Sequence, residues 1–262
     1  MLAIVTALSS EARPLIDHLG LQKIEAPFPI YHHDDVFLIV SGIGKLQAAT
    51  SVSFLQAKYL SEKTPWLNVG LVGHFDLDVG TGMLIHKIVD QGSNISFYPS
   101  FPFSLPVRTE TLYTVDKPEE LFVEQGAFDM EASGFFAAAH RFTSSDMIHC
   151  YKIVSDNPLI SFCKKEAASL VIPHIDFIVA FAKQLLHRAP KPLPHIPIEP
   201  FLKQLHFTAT QEVQLRKLLR NLSLFEEIYP SIWLKYTSSR ALLIALQEQL
   251  TSHPVLCSLS SM

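Results

Sequence analysis

Acidic residues follow apolar segments at three places in the sequence. Glu11 follows one apolar segment, Ser155-Asp156 closes another, and between them in the chain stands the run Asp129-Met130-Glu131-Ala132-Ser133. A carboxylate just past a buried strand is well placed for chemistry, because ligands of α/β proteins bind outside the carboxyl ends of the strands. Glycosidic bond cleavage relies on sets of carboxylates of this kind. The three elements therefore indicate cleavage of a glycosidic bond.

Cleavage of the N-ribosidic bond of a nucleoside requires several carboxylates in different roles. The leaving purine must be protonated or hydrogen-bonded, which calls for a carboxylic acid with a raised pKa. Attack by water needs a second carboxylate as base. The sugar hydroxyls need acceptors that hold the ring as positive charge develops. Acidic positions at three strand ends meet this demand, and Asp156 is the candidate acid.

Each acidic element also has a simpler structural interpretation. The sequence Ser155-Asp156-Asn157-Pro158 has the composition of a turn, with Asp156 as a cap. Acidic residues at 129–131 and at Glu11 would be favourable at any helix start, because they interact with the helix dipole. Only the joint placement of the three elements supports the chemical interpretation.

Glycines and histidines near strand ends form a second group of candidates. Gly42-Ile43-Gly44-Lys45 lacks the further glycine of a dinucleotide fingerprint and is no Walker loop, so it predicts a tight turn that a ligand can approach. His74 follows Gly73 at a strand end and is a candidate for lining the site. His32-His33 has no third ligand nearby, which favours a surface loop over a metal site.

Short apolar runs alternate with helical patterns along the first part of the chain. This alternation predicts a largely parallel sheet covered on both faces. We expect a helix capped by Ser9 or Ser10 after the first strand, and a loop at residues 91–110. The predicted strands are 2–7, 36–40, 67–73, 83–89 and 148–154, and the other predicted helices are about 45–60, 131–142 and 166–188.

The composition changes at the proline-rich residues 189–197, which predict a stiff linker. The expected organisation is a domain at 1–188, this linker, and a helical extension at 198–262. Helical spacing at 212–224 places an apolar stripe beside Arg216, Lys217 and Arg220. These basic residues could touch nucleic acid, but they are typical of a solvated helix face.

Composition excludes several classes of protein. The 262 residues carry a formal net charge of −4, with no overall basic excess, so a nucleic acid partner is not expected. A hydrophobic content of 48% supports a packed core. No apolar run reaches the roughly 18 residues of a membrane helix. The three separated cysteines show neither a disulfide framework nor zinc spacing and favour a reducing cytoplasm.

The chain resembles the nucleoside phosphorylase and nucleosidase superfamily over about residues 1–188, and within it the methylthioadenosine/S-adenosylhomocysteine nucleosidase branch. Asp129-Met130-Glu131-Ala132 matches the Glu-Met-Glu-Ala of that branch with one acid shortened. The other segments that carry the resemblance are Ala7-Leu8-Ser9-Ser10-Glu11, Ser41-Gly42-Ile43-Gly44-Lys45 and Ser155-Asp156.

The resemblance implies a fold and a set of residue roles. The fold is a three-layer α/β/α sandwich around a twisted mixed sheet, in a protein that works as a homodimer or a larger oligomer without a cofactor. The implied catalytic residues are Asp156, serving purine N7, and Glu11, positioning the water. Glu131 would bind the ribose hydroxyls, with Met130 and Ile43 against the sugar. The full set of expected substrate-binding residues is Glu131, Met130, Asp129, Ile43, Ser155, Gly70 and His74.

The chain departs from the family pattern in three places. The family's Gly-Ser-Ala-Gly-Gly turn is here Gly70-Leu71-Val72-Gly73-His74, with no hydroxyl and no adjacent arginine to hold phosphate, which favours water as the nucleophile. Residues 89–128 are compressed, and Thr114 to Pro118 is expected to form the base-binding segment. Residues 189–262 have no counterpart in the minimal enzyme.

The expected function is therefore hydrolysis of a purine nucleoside of the methylthioadenosine/S-adenosylhomocysteine type in the cytoplasm. Two alternatives stay open from the sequence. One is a phosphate-dependent nucleoside phosphorylase. The other, suggested by the altered turn at 70–74 and by the extension, is a nucleoside-binding or partner-binding protein that has lost catalysis on this fold.

Overall fold

A computed structural model describes residues 1–61, 63–101, 107–119, 122, 124–189, 197–223, 233 and 235–252. The chain divides into two units, Met1–Pro190 and Lys191–Met262. The predicted linker at 189–197 lies almost wholly outside the described residues.

The first unit contains ten described strands and five described α-helices. The strands are β1 (Leu2–Thr6), β2 (Gln22–Ile24), β3 (Ile30–His33), β4 (Val36–Val40), β5 (Trp66–His74), β6 (Gly82–Asp90), β7 (Ile95–Phe97), β8 (Thr109–Thr114), β9 (Ala127–Asp129) and β10 (Ile148–Asp156). The helices are α1 (Ser9–Leu19), α2 (Lys45–Tyr59), α3 (Ala132–Ala139), α4 (Ala167–Val171) and α5 (Ile175–Arg188).

These strands form one mixed sheet in the order β10-β6-β8-β9-β5-β1-β4-β3-β2, with β7 paired to β6. Parallel pairing joins β1 to β4 and β5, and β5 to β10. Every residue of β1 is buried, as expected for a strand in the middle of a parallel sheet covered on both faces. Because β10 pairs with both β5 and β6, the strands β5, β9, β8, β6 and β10 close on themselves.

Helices cover both faces of the sheet. On one face, α2 and α3 contribute Val52, Leu55 and Phe135 to an apolar core. On the other face, α1 and α5 contribute buried apolar residues, among them Leu15 and Phe181. The predicted α/β/α sandwich with a mixed sheet is therefore confirmed.

Several local predictions are wrong. The stretch expected to be a loop at 91–110 contains β7 and the start of β8, and His32 and His33 lie in β3. The predicted helix at 166–188 is interrupted by a 3₁₀ turn at Ile172–His174, because Pro173 cannot donate the next helical hydrogen bond.

The first helix is not capped by a serine. It begins at Ser9, and its cap residue is Leu8. The Glu11 carboxylate accepts a hydrogen bond from the Leu8 backbone N–H at 2.8 Å. The Glu11 side chain, in the first turn of the helix, thus accepts from the backbone N–H of the cap residue Leu8, as the third residue of a capping box does.

The helical stretch Lys164–Arg188 is long and apolar enough to pass a length-and-composition test for a membrane span. This finding departs from the expectation that no such segment exists. Ile178, Phe181 and Leu185 of this stretch are buried in the core of the first unit, while Ile172 is 57% exposed. A helix that packs on a protein core has this arrangement, with one buried face and one exposed face.

The second unit has its own apolar core. Its described helices are α6 (Glu199–Gln204), α7 (Ala209–Leu222) and α8 (Ser239–Thr251). Thr208 caps α7 reciprocally with Gln211, at 3.3 and 3.0 Å. Arg216 pairs with Glu212 on the exposed side of α7, in agreement with a solvated face. The core of the unit is formed by Ile198, Phe201, Leu205, Leu215, Leu218, Leu219, Leu222, Trp233, Leu242, Leu243 and Leu246.

Candidate active site

A cavity of about 220 Å³ lies at the ends of β1, β5, β9 and β10. Seven of the residues singled out from the sequence border it, namely Glu11, Ile43, Asp129, Met130, Glu131, Ser155 and Asp156. The other residues that border it are Ala7, Leu8, Leu71, Val72, Gly73, Val115, Pro118, Glu119, Phe128 and Phe162. The three acidic elements, distant in the chain, therefore meet around one space.

Glu11 reaches this cavity from the first turn of α1 and is buried, with 3% of its surface exposed. Its Oε2 accepts hydrogen bonds from the N–H groups of Ala7 and Leu8 at 3.0 and 2.8 Å. Its Oε1 accepts from the Leu71 N–H at 3.0 Å. Burial raises the pKa of Glu11, and these hydrogen bonds offset the rise in part. Glu11 is thus a rigidly held carboxylate with increased basicity.

Glu131 stands at the start of α3 and joins the acidic run to the glycine turn. Its Oε1 accepts a hydrogen bond from the Gly44 N–H at 2.7 Å. Burial, and after it the negative charge of Asp129, raises the pKa of Glu131 to about 7. The turn beside it carries Ile43, which borders the cavity and is 56% exposed. A carboxylate acceptor and an apolar side chain therefore lie together at this wall.

Asp129 ends β9, and both oxygens of its carboxylate are bonded to other groups of the protein. Its Oδ1 accepts from the Thr114 hydroxyl at 2.8 Å, and its Oδ2 accepts from the Ala132 N–H at 3.0 Å. The Lys152 ammonium lies 2.9 Å from the same Oδ2. These three partners make Asp129 the support of the acidic run.

Lys152 was missed by the sequence analysis. Its side chain is 1% exposed and projects from the middle of β10. Burial disfavours its charged form, but the negative charges around it, led by Asp129, outweigh burial and raise the pKa of Lys152. A Cβ placed on Gly70 would lie 3.4 Å from both the Lys152 Nζ and the Glu11 Oε1. One buried cation is thus shared by the acidic groups at the floor of the cavity.

Asp156 is placed at the cavity by an irregularity in β10. The pairing of β10 with β5 shifts between Val154 and Asp156, so that one extra residue, Ser155, is accommodated. Such bulges re-aim side chains beside active sites. Burial raises the pKa of Asp156, and a hydrogen bond from the Ser155 hydroxyl opposes the rise. Burial therefore makes Asp156 a weaker acid than an exposed aspartic acid.

Gly73 leaves room for Asp156. A Cβ at this position would lie 2.9 Å from the Asp156 Oδ2 and 2.8 Å from the Phe122 ring. We expect Gly73→Ala to displace the Asp156 carboxylate and to lower kcat by roughly 10- to 100-fold, since small misplacements of catalytic groups have effects of this size. Steady-state assays of base release measure the effect, and thermal melting shows whether the fold persists. A folded variant with unchanged kcat would contradict this role of Gly73.

Gly70 and His74 do not border the cavity. Gly70 lies against Glu11 and Lys152, beneath the floor. His74 is 3% exposed, and its Nδ1 accepts hydrogen bonds from the N–H groups of Asp76 and Leu77 at 3.2 and 3.1 Å. Burial lowers the pKa of His74. His74 therefore organises the turn after β5, and the expectation that either residue contacts the ligand directly is not supported.

Four of the other residues that border the cavity come from the segments after β8 and β10. Val115 and Pro118 belong to the segment expected to bind the base, and Glu119 follows it. Phe162 lies on the chain after Asp156 and is 44% exposed. In the sequence, the only indication that Phe162 belongs to the site is its position six residues after Asp156. Among the described residues, no group of three or more His, Cys, Asp or Glu could hold a metal ion.

Comparison with known proteins identifies the fold. No protein-family model matches the chain, and no curated protein sequence matches it. Solved structures do match, at low sequence identity. The chain has the same fold as these structures, which is the fold that the resemblance in the sequence implied. The matching structures include 5′-methylthioadenosine and S-adenosylhomocysteine nucleosidases.

Three of these structures show how far the likeness extends. The Arabidopsis thaliana 5′-methylthioadenosine nucleosidase has a TM-score of 0.55 at 17% identity, covering 73% of this chain and 96% of its own. The Campylobacter jejuni nucleosidase has a TM-score of 0.53 at 17% identity, with 71% and 98% covered. The Chlamydia trachomatis nucleosidase has a TM-score of 0.51 at 15% identity, with 71% and 96% covered. Nearly the whole of each enzyme is matched, while more than a quarter of this chain lies outside the match.

Proposed function

We propose that this protein hydrolyses the N-ribosidic bond of a purine nucleoside of the methylthioadenosine or S-adenosylhomocysteine type. The observation that carries the proposal is the meeting of Glu11, Glu131 and Asp156 around one cavity. Nucleosidases of that type share the fold, which raises the expectation for the chemistry without deciding it.

Asp156 supplies the proton in this mechanism. Burial raises the pKa of Asp156 and so favours its protonated form, which donates to purine N7. The bond between the purine nitrogen and C1′ then breaks, and its electron pair leaves with the base. The sugar becomes an oxocarbenium-like cation. The Ser155 hydroxyl stabilises the carboxylate that remains on Asp156.

Glu11 and Glu131 act on the sugar. Water attacks C1′ while Glu11 accepts its proton, a role that suits a carboxylate whose pKa is raised by burial. Glu131 accepts hydrogen bonds from the ribose hydroxyls, and its negative charge stabilises the developing cation. Met130 and Ile43 pack against the ring from the cavity wall. This chemistry needs proton transfer and electrostatics alone.

The charge of the cavity favours water over phosphate as the nucleophile. Five carboxylate side chains border it, from Glu11, Glu119, Asp129, Glu131 and Asp156, and among the described residues that border it there is no lysine or arginine. The nearby Lys152 is engaged with Asp129 at 2.9 Å. A phosphate dianion would find no cationic side chain to bind among these residues, whereas neutral water needs none.

The pH dependence of kcat/KM follows from Glu131. Its carboxylate must be ionised to accept the ribose hydroxyls, so kcat/KM should rise with pH through about 7, the value to which burial raises the pKa of Glu131. We expect Glu131→Gln to lower kcat/KM and to remove this rise. A pH profile of both proteins measures the effect. A rise of the same position and size in the variant would assign it to another group.

The proposal is tested with a panel of nucleosides. Chromatography should detect adenine released from methylthioadenosine or S-adenosylhomocysteine, and calorimetry should detect binding. Binding of nucleosides without release of any base would instead indicate a binding protein that has lost catalysis. Residues 70–74, expected from the sequence to form a turn, are the last residues of β5. This altered segment favours that second function, because Leu71 replaces the family's serine.

A further inference from the structure

We propose that Lys45 is a clamp between two walls of the candidate active site, and that its ion pair with Asp116 sets the affinity for the nucleoside. Lys45 is thus a positioning residue that acts through the walls on either side. The inference rests on the proposed function for its kinetic consequence, but the clamp itself can be measured without turnover.

Lys45 bridges two carboxylates that come from different parts of the chain. Its Nζ lies 2.7 Å from the Asp116 Oδ1 and 3.1 Å from the Asp90 Oδ2. All three side chains converge near Gly92, where an added Cβ would lie 3.1 Å from Asp116, 3.3 Å from Lys45 and 3.4 Å from Asp90. The ammonium is therefore held between both partners at once.

The Lys45–Asp116 ion pair joins two walls of the cavity. On one side, Lys45 directly follows Gly44, whose N–H donates to Glu131, and Ile43, which borders the cavity. On the other side, Asp116 lies between Val115 and Pro118, which both border the cavity. The bridge consequently spans from the wall assigned to the sugar to the wall expected to hold the base.

The two arms of the bridge differ in strength. Asp90 is an anchor, because its Oδ2 accepts from the Ser133 hydroxyl at 2.6 Å and its Oδ1 accepts from the Ser93 N–H at 2.8 Å. Burial opposes ionisation of Asp90, but these hydrogen bonds and Lys45 outweigh it and lower its pKa to about 2. Asp116 has a side chain that is 68% exposed. The wall carrying Asp116 is therefore the one that can move away.

Exposure of the Asp116 arm makes it sensitive to salt. The distance over which charges act falls from about 10 Å at 0.1 M salt to about 3 Å at 1 M. Salt should therefore weaken the Lys45–Asp116 pair while leaving the buried Asp90 arm in place. A clamp of this kind predicts that KM rises with ionic strength while kcat changes little, because the catalytic carboxylates are held by other contacts.

The experiment compares Asp116→Asn, Lys45→Met and Lys45→Arg with the wild-type chain. Amide hydrogen exchange at residues 115–119 measures how often the wall that carries Asp116 opens. KM and kcat for methylthioadenosine are measured at 0.1 and 1 M KCl. Asp17→Asn is the matched control, since it breaks another exposed ion pair, Arg13–Asp17 at 2.8 Å, away from the cavity.

We expect faster exchange at 115–119 in Asp116→Asn and Lys45→Met, and wild-type exchange in Lys45→Arg and Asp17→Asn. KM should rise about two- to fivefold in the first two variants, with kcat preserved and the salt dependence lost. Unchanged exchange in both Asp116→Asn and Lys45→Met overturns the clamp. Faster exchange with unchanged KM overturns its role in affinity. If the wild-type chain cleaves no nucleoside, the proposed function fails while the exchange result still decides the clamp.

Discussion

Replacing Asp156 with asparagine lowers kcat for base release by about 10²- to 10⁴-fold, the usual contribution of general acid catalysis. Asparagine preserves the shape of the side chain and still accepts the hydrogen bond from Ser155. It has no acidic proton for purine N7, so the base must leave as an anion. Substrate affinity should change far less than kcat, because the cavity walls and Glu131 stay in place.

The measurement is a steady-state assay of base release, with Asp34→Asn as control. Asp34 is exposed and lies in the tight turn between β3 and β4, where its φ of 48° also suits asparagine. Full activity in Asp34→Asn and near-complete loss in Asp156→Asn would support the assignment. An Asp156→Asn protein as active as the wild type would remove Asp156 from the mechanism.

Replacing Lys152 with methionine has the largest expected effect on stability. The ammonium and the Asp129 carboxylate are 2.9 Å apart, with side chains 1% and 0% exposed. Removing one partner of a buried ion pair leaves an uncompensated charge and costs about 3–5 kcal/mol. For a unit of this size the melting temperature should fall by roughly 10 °C. Thermal melting followed by circular dichroism measures the change.

Two further variants separate charge from packing at Lys152. Lys183→Met, at an exposed position of α5, should leave the melting temperature unchanged. Lys152→Met combined with Asp129→Asn should regain part of the lost stability, because the second change removes the stranded charge. If the double variant were less stable than Lys152→Met by the full effect of Asp129→Asn alone, the two side chains would be energetically independent.

The carboxylates of the site could be predicted because their positions depend on strand ends. Short apolar runs define where β1 and β10 end, and the parallel pairing of both strands with β5 places these two ends at one edge of the sheet. Glu11 and Asp156 therefore followed from local pattern, whereas Glu131 followed from chain order and from the family resemblance of the run 129–132, because β9 was not among the predicted strands and is antiparallel to β5. The tight turn at Gly42 and Gly44 followed in the same way, with φ values of 87° and 103°.

The remaining features depend on contacts between distant residues. Lys152 occurs in a run of apolar residues, and its burial makes sense only once β9 brings Asp129 to it. The Ser155 bulge depends on the register between β10 and β5. His74 stands at a strand end like the carboxylates, but its ring turns to the backbone of the following turn. Neither periodicity nor composition carries this information.

The proposed reaction is hydrolysis of an N-ribosidic bond with water as the nucleophile. The most direct test incubates the wild-type chain with methylthioadenosine in ¹⁸O-labelled water, with and without phosphate, and identifies the sugar by mass spectrometry. The structure predicts adenine and free methylthioribose that carries ¹⁸O at C1, at rates that phosphate does not raise. Formation of methylthioribose 1-phosphate, or no cleavage at all, would contradict it.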